Sequence, residues 1–344
     1  MELKKRNMDC VFCTLFDSNY LDKGITLYKS MEEHIAEFKL YVFAFDDKCY
    51  EILKKENYDH LIPISLKEFE TPELLKVKGE RTRAEYCWTC SPWVIKHVID
   101  KCGEDICTYI DSDMEFFSSP QPVFDEMREK GCSTIIVPHR YETEEEEKEA
   151  HDLRGSYCVE FNTFVNDENG YKTLSWWAER CLAWCFYAVP GTTEWYGDQK
   201  YLNAFQEKFD GVMVCDHYGV GMAPWNMNLL DYAGEKDGVP LVSVKKTGET
   251  YPVVIYHFES VSFLTTHILH APSYTKSKKL HQAVYDSYIK RLMDNRRNIE
   301  QKYGIKLSRK KRVVTKNPLL TFYHKYVSPL RRIKHTYDLY WIKK

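Results

Sequence analysis

The first third of the chain alternates short apolar runs with stretches of helical periodicity. Residues 9–16 form a continuous apolar run of the kind a buried parallel strand requires. Asp17-Ser18-Asn19 follows with helix N-cap chemistry, and Leu21, Ile25, Leu27, Tyr28, Met31 and Ile35 then recur at helical spacing. A second strand is predicted over 38–45, a helix over 48–56 and a third strand over 60–64. The opening therefore reads β-α-β-α-β, the pattern of a parallel sheet with crossover helices.

Residues 82–101 are predicted helical with a break near Pro92, followed by a strand over 105–110 that ends in Asp111-Ser112-Asp113. A helix near 121–130 and a strand over 132–137 come next. The acidic run Glu144 to Glu147 reads as a solvated loop or helix face, with closure over a bound substrate as the competing reading. Further on, the pattern gives a strand over 159–165, a Trp-rich helix over 170–188, a helix over 197–208, and strands over 212–216 and 253–257. The resulting division is an α/β catalytic domain over residues 1–270 and a helical, basic and aromatic extension over 271–344.

Composition changes this picture in four places. A net charge of −3 points to no polyanionic partner. No run of about 18 apolar residues occurs, so no transmembrane helix is expected. The charged start, Met1 to Asp9, lacks the apolar region and cleavage site of a signal peptide. The expected location is cytoplasmic. Many of the 12 cysteines sit in apolar runs and read as small buried hydrophobes in a reducing compartment. Cys10/Cys13 and Cys87/Cys90 have Cys-x-x-Cys spacing. A zinc site from both is disfavoured, because odd spacing on a strand points Cys10 and Cys13 to opposite faces.

Ligands of open α/β sheets gather at the carboxyl ends of the strands. Asp111 and Asp113 sit at such an end and, two apart in extended backbone, point the same way. Two carboxylates so placed suit Mn²⁺ or Mg²⁺, which can bridge a diphosphate and neutralise a leaving nucleotide. The bland alternative is a turn cap at Asp113 and a surface role for Asp111. His257 closes a late strand and is a candidate third ligand, with a structural histidine as the alternative. The segment Thr14 to Tyr20 is the natural seat of a base and ribose, with Asp17 accepting from the base and Tyr20 stacking on it. The competing reading there is a helix cap with core packing by Tyr20. The segment carries no Gly-x-Gly-x-x-Gly or P-loop signature, which argues against a dehydrogenase and a P-loop phosphotransferase.

In order along the chain, Thr14 to Tyr20, Asp111-Ser112-Asp113, Phe161-Asn162-Thr163, Gly197 to Asn203 and Tyr256-His257-Phe258 resemble the motifs of GT-A fold glycosyltransferases, most of all the retaining family eight group. The resemblance covers roughly residues 9–260. It implies a Rossmann-like mixed sheet flanked by helices and a UDP-sugar donor. Mn²⁺ (or Mg²⁺) would be held by Asp111, Asp113 and His257. The donor would be bound by Thr14, Phe16, Asp17, Tyr20, Arg83, Ser112 and Asn162, with Asp198 and Gln199 at the sugar's reactive centre. The implied reaction moves a hexose or N-acetylhexosamine to a glycan or glycolipid acceptor with retention, as in polysaccharide biosynthesis.

The chain also departs from that group. No Lys occurs in the stretch His257 to Val261, and Trp88 stands near the place of an Arg common before the Asp-x-Asp strand, where Arg81 and Arg83 are the nearest candidates. Trp88, Trp93 and Trp225 read as core packing, with acceptor platforms as the alternative. Two other functions compete. A sugar-nucleotide nucleotidyltransferase would carry a glycine-rich basic loop after the first strand, which is absent. A non-catalytic carbohydrate- or nucleotide-sugar-binding protein would have no need of converging metal ligands. From Ile305 onward basic residues alternate with aromatics, a pattern suited to the inner membrane surface, and no motif there supports nucleic acid. The competing reading of that tail is a helical pair packed on the catalytic domain.

Overall fold

The computed structural model describes residues 10–187, 196–264, 268–307 and 336–341. The expected opening is present as β1 (Val11–Phe16), α1 (Leu21–His34), β2 (Lys39–Ala44), α2 (Asp47–Glu56) and β3 (Leu61–Ser65). Every residue of β1 is buried, which is why its sequence does not alternate. The N-cap of α1 differs from expectation. Tyr20 occupies it with no side-chain cap, and Asp17 instead accepts from the Asn19 amide at 2.7 Å. The Asp17 side chain is thereby turned toward the strand end rather than spent on the helix. Gly24 of α1 is set by a close approach, since a Cβ there would stand 2.3 Å from the Phe16 ring.

Next come α3 (Leu66–Phe69), α4 (Pro72–Lys78) and α5 (Arg83–Cys102). The break expected at Pro92 does not occur, and α5 runs unbroken through it. Proline removes one backbone donor from a helix interior. Here a capping box between Thr82 and Glu85 and a left-handed Gly103 secure both ends, and Pro92 lies on the buried face. Beyond α5 follow β4 (Ile106–Ile110), β5 (Met114–Phe116), α6 (Gln121–Glu129), β6 (Thr134–Pro138), α7 (Glu144–Leu153), β7 (Tyr157–Val165) and α8 (Glu168–Ala183). The helix expected over 197–208 is a 3₁₀ turn, Gln199–Ala204, running into the single-turn α9 (Phe205–Lys208), with β8 (Val212–Val214) after it.

These strands form one sheet in the order β3-β2-β1-β4-β7-β6-β8. The β3, β2, β1 and β4 strands are parallel, whereas β7 runs antiparallel to both β4 and β6. The sheet is thus the mixed, helix-flanked sheet expected. The β1 strand pairs with β2 on one side and β4 on the other, so the order reverses there and opens a crevice at the carboxyl ends.

A second body of structure was only partly legible in the pattern, which gave the strand over 253–257 and a helical segment past 271 but not the other strands. It comprises a meander of β9 (Leu230–Lys236), β10 (Val239–Val244) and β11 (Thr250–Pro252), then β12 (Ile255–His257), β13 (Ser262–Phe263), β14 (Ile268–His270), α10 (Lys278–Tyr303) and β15 (Leu339–Trp341). Its own apolar cluster includes Phe258 stacked on Tyr288, with ring centroids 3.5 Å apart. The β12 strand pairs antiparallel with β5, and β15 pairs with β14. The α10 helix lies on α1, joined by a buried ion pair of Arg296 with Asp22 at 2.8 Å. The basic segment between Arg309 and Lys334, and Lys343 with Lys344, lie outside the described residues. Among the described residues no helix is long and apolar enough to cross a membrane.

Removing one partner of a buried ion pair leaves the other charge stranded, at a cost of about 3–5 kcal/mol. Arg296→Ala is therefore expected to lower unfolding stability by that amount in urea titrations, and the double variant Arg296→Met with Asp22→Leu to recover most of it.

Candidate active site

A cleft of about 1120 Å³ opens at the carboxyl ends of β1, β4 and β6. Its chemistry centres on three side chains delivered by two different strands. Asp111 and Asp113 follow β4, and β5 begins immediately after them. The β5–β12 register sets Met114 opposite His257, and the Phe258 amide donates to the Asp113 carbonyl at 2.8 Å. His257 Nε2 thereby stands 3.2 Å from Asp113 Oδ1 and 3.7 Å from Asp111 Oδ2.

The remaining polar atom of each group is already engaged. Tyr109 donates to Asp111 Oδ1 at 2.9 Å. Lys23, on α1, donates to Asp113 Oδ2 at 2.9 Å. Glu160, on β7, lies 2.8 Å from His257 Nδ1. One carboxylate oxygen from each Asp and one imidazole nitrogen are left facing one another. Among the described residues two groups can hold a metal: Asp111 with Asp113 and His257, and the fully buried set Cys158, Glu160 and His257. Two carboxylate oxygens and one imidazole suit a hard divalent cation such as Mn²⁺ or Mg²⁺. In the buried set, burial pushes the Cys158 thiol well above its ordinary value, and Glu160 and His257 are bonded to each other at 2.8 Å.

The two aspartates differ electrostatically. Burial pushes the Asp111 carboxyl up to about 7, against the pull of His257. Burial acts on Asp113 in the same sense, but Lys23 and His257 outweigh it and hold that carboxyl well below the usual range. His257 is raised well above its ordinary value. Burial opposes its charge, and Asp113, Cys158 and Glu160 overcome that opposition. In the metal-free protein the imidazolium balances the carboxylates, so metal binding must expel a proton from Nε2.

The structure gathers most of the sequence candidates around this centre. Phe16, Asp17, Tyr20, Arg83, Ser112, Asp198 and Gln199 line the cleft with the three metal candidates. Arg83, at the first turn of α5, makes an ion pair with Asp17. Tyr20 is half exposed, with Lys23 Nζ 4.8 Å from its ring centre. Asp198 is buried; its main-chain carbonyl accepts from Trp177 Nε1 at 2.9 Å, and burial pushes its carboxyl up to about 7. Gln199 donates to the Arg154 carbonyl at 2.9 Å, just beyond α7.

Thr14 and Asn162 are not in the cleft wall. Both are fully buried, and the Thr14 hydroxyl and both amide atoms of Asn162 have no hydrogen-bond partner. Asn162 pairs with Tyr109 across β7 and β4, directly behind Asp111. The acidic run proves to be the start of α7, and its Glu146 and Glu149 face the cleft. Trp88 and Trp225 also line it, the latter 5.8 Å from the His257 ring.

Sequence reasoning did not find Lys23, Tyr109, Glu160 or His139. Lys23 is 90 residues from Asp113, and no local pattern connects them. Glu160 did leave a signal, as a charged residue inside the apolar run of β7. His139 directly follows β6, its Nδ1 buried and unpartnered among the described residues, and burial pushes it down to about 4.

Over 255 residues the chain is 31% identical to YfnD, an uncharacterized protein of Bacillus subtilis (strain 168), covering 74% of this chain and 78% of YfnD. It is 30% identical over 256 residues to YfnF, also uncharacterized and from the same organism, covering 73% of this chain and 81% of YfnF. No family model matches the sequence. Among solved structures the chain is similar to the galactosyltransferase LgtC in complex with donor and acceptor sugar analogues, at 14% identity and a TM-score of 0.47 over 83% of this chain and 95% of that one. It is also similar to mouse xyloside xylosyltransferase 1, at 12% identity and a TM-score of 0.45 over 74% of this chain and 98% of that one. A third is the glycosyltransferase GlyE of Streptococcus pneumoniae TIGR4, at 12% identity and a TM-score of 0.46 over 89% of this chain and 66% of that one.

The Asp198 carboxyl, at about 7 in the fold and near its ordinary value when unfolded, binds its proton more tightly in the folded protein. Its ionisation therefore costs stability that grows as pH rises from about 4 to about 7 and is complete above that, on the order of 4 kcal/mol at most. Asp198→Asn in EDTA is expected to gain stability over the wild type at pH 8 and to match it at pH 4, measured by thermal unfolding across that range.

Proposed function

We propose that this chain, which belongs to the family of YfnD and YfnF, is a metal-dependent glycosyltransferase that uses a UDP-sugar donor. The observation that carries this reading is the convergence of Asp111 Oδ2, Asp113 Oδ1 and His257 Nε2 at the switch point of the sheet, beside a nucleotide-sized recess. Asp111, Asp113 and His257 would hold Mn²⁺ or Mg²⁺, which when bound supplies positive charge to a departing diphosphate.

The protein's own groups divide the remaining work. Asp17 and Tyr20 take the base, with Arg83 at the same rim. Lys23 keeps one oxygen of Asp113 occupied, so that the other faces the metal position. Asp198 and Gln199 close the far side, where the donor sugar would lie. Trp225, beside the His257 ring, and Tyr141 also line the cleft and would offer apolar faces to an acceptor glycan or to the sugar of a glycolipid. The basic, aromatic segment past Ile305 would bring such a lipid acceptor near.

In the proposed reaction the bond from the anomeric carbon to the diphosphate oxygen breaks, and a bond to the acceptor oxygen forms on the same face. The acceptor proton passes to the departing diphosphate, so no dedicated base is needed, and the products are UDP and the glycosylated acceptor. Asp198, buried with its carboxyl pushed up to about 7 by that burial, would hydrogen-bond the sugar.

The test is nucleotide release from UDP-glucose, UDP-galactose, UDP-N-acetylglucosamine and GDP-mannose, with Mn²⁺ or EDTA. Release from one UDP-sugar is expected, abolished by EDTA. In Asp113→Asn it should fall by about 100-fold or more, the order for losing one electrostatic contact to a leaving charge. Absence of metal-dependent release and of donor binding would refute the reading.

A further inference from the structure

Glu160 is buried at 0% exposure in the middle of the sheet. A carboxylate in that setting is costly unless something specific compensates it. Its Oε2 bonds His257 Nδ1 at 2.8 Å, and its Oε1 has no partner. No arginine or lysine pairs with it among the ion pairs of the described residues. Its polar engagement is therefore the imidazole that the proposed metal site uses from the other side.

That geometry dictates where the imidazole proton sits. A carboxylate can accept but has no proton to donate, so Nδ1 must carry the hydrogen of this bond. Once His257 is neutral, its lone pair is then on Nε2, the nitrogen that faces Asp111 and Asp113 at 3.7 and 3.2 Å. The bond also fixes the ring plane and makes the ligating nitrogen a stronger donor. The arrangement parallels the contacts of Tyr109 with Asp111 and of Lys23 with Asp113, so each metal candidate has its remaining polar atom held by a neighbouring side chain.

We infer that Glu160 is a positioning residue for the metal centre, fixing His257 as an Nδ1–H, Nε2-ligating imidazole. This rests on the proposed metal site and adds to it a residue outside the sequence motifs. An amide in its place is nearly the same shape but can turn its NH₂ toward Nδ1. The proton would then move to Nε2 and point at the metal position.

The experiment is a titration of wild type and Glu160→Gln with Mn²⁺ alone, free ion being followed by electron paramagnetic resonance, with thermal unfolding measured in EDTA. Glu160→Gln is expected to bind Mn²⁺ about 10- to 100-fold more weakly while unfolding at nearly the wild-type temperature. Excess Mn²⁺ should restore most of its nucleotide release, as a metal-affinity defect requires. Equal Mn²⁺ affinity in the two proteins would overturn the inference, as would a wild type that binds no Mn²⁺. Stoichiometric zinc in the purified protein, lost in Glu160→Gln and Cys158→Ser alike, would also overturn it in favour of a buried metal site. A wild type that binds Mn²⁺ yet releases nucleotide from no donor would count against the proposed transferase alone, because the titration contains no donor.

Discussion

The three residue pairs between β5 and β12 are the constraint on which the candidate site depends. Asp111 and Asp113 are fixed by β4, deep in the main sheet, whereas His257 arrives from a part of the chain about 145 residues later. Antiparallel pairing sets register by whole residues, so Met114 opposite His257 leaves no intermediate placement. The bond from the Phe258 amide to the Asp113 carbonyl extends this ladder to the candidate ligand itself. A slip of one residue would turn the imidazole to the opposite face and leave two carboxylates with no third ligand. The fold thus meets a sub-ångström requirement with ordinary backbone hydrogen bonds.

Electrostatics then works on a frame that is already rigid. Taking Asp111, Asp113, Glu160 and His257 out of water raises the cost of every unbalanced charge among them. The two aspartates respond differently because only Asp113 has an ammonium against it. Asp113 stays charged and serves as the fixed point, while Asp111 is held near the edge of ionisation by burial. A divalent cation would settle that imbalance, drawing Asp111 to its charged form and displacing the proton of His257. The same burial that makes the metal-free site unfavourable is what would make the metal-bound site strong.

Much of the fold was legible in the sequence because its central strands are buried on both faces and read as plain apolar runs. β1, β2 and β4 were placed within about two residues for that reason. The meander of β9 to β11 left no such trace, since one side of it meets solvent and its residues are mostly partly exposed. Pro92 misled because the rule for helix interiors is local, whereas the integrity of α5 comes from capped ends and tertiary packing. For the site, Asp111, Asp113, Asp17 and His257 announced themselves by lying at strand ends. Thr14 on β1 and Asn162 on β7 are fully buried within their strands, and pattern alone cannot tell which side of a doubly buried strand faces the cleft. Lys23 was missed because its role is a contact with Asp113 90 residues away, which has no periodicity, and Tyr109 because it sits within the plain apolar run of β4.

The late helix α10 shows how far that dependence on distant contacts extends. Arg296 holds Asp22, the neighbour of Lys23, from behind α1. Arg291 clasps Glu33 of α1 at 2.6 Å and stands 3.6 Å from Glu115, the residue of β5 two places beyond Asp113. Glu115 is buried, its Oε2 unpartnered, and burial pushes its carboxyl up to about 8 even with the Arg291 guanidinium nearby. That incompletely compensated group lies two residues from Asp113, a candidate metal ligand, and α10 supplies the guanidinium that faces it. Residues 278–303 therefore act on the same short strand as β12 does, from its other side. The position of Asp113 is the joint product of β4, β12, α1 and α10, four elements drawn from both ends of the chain.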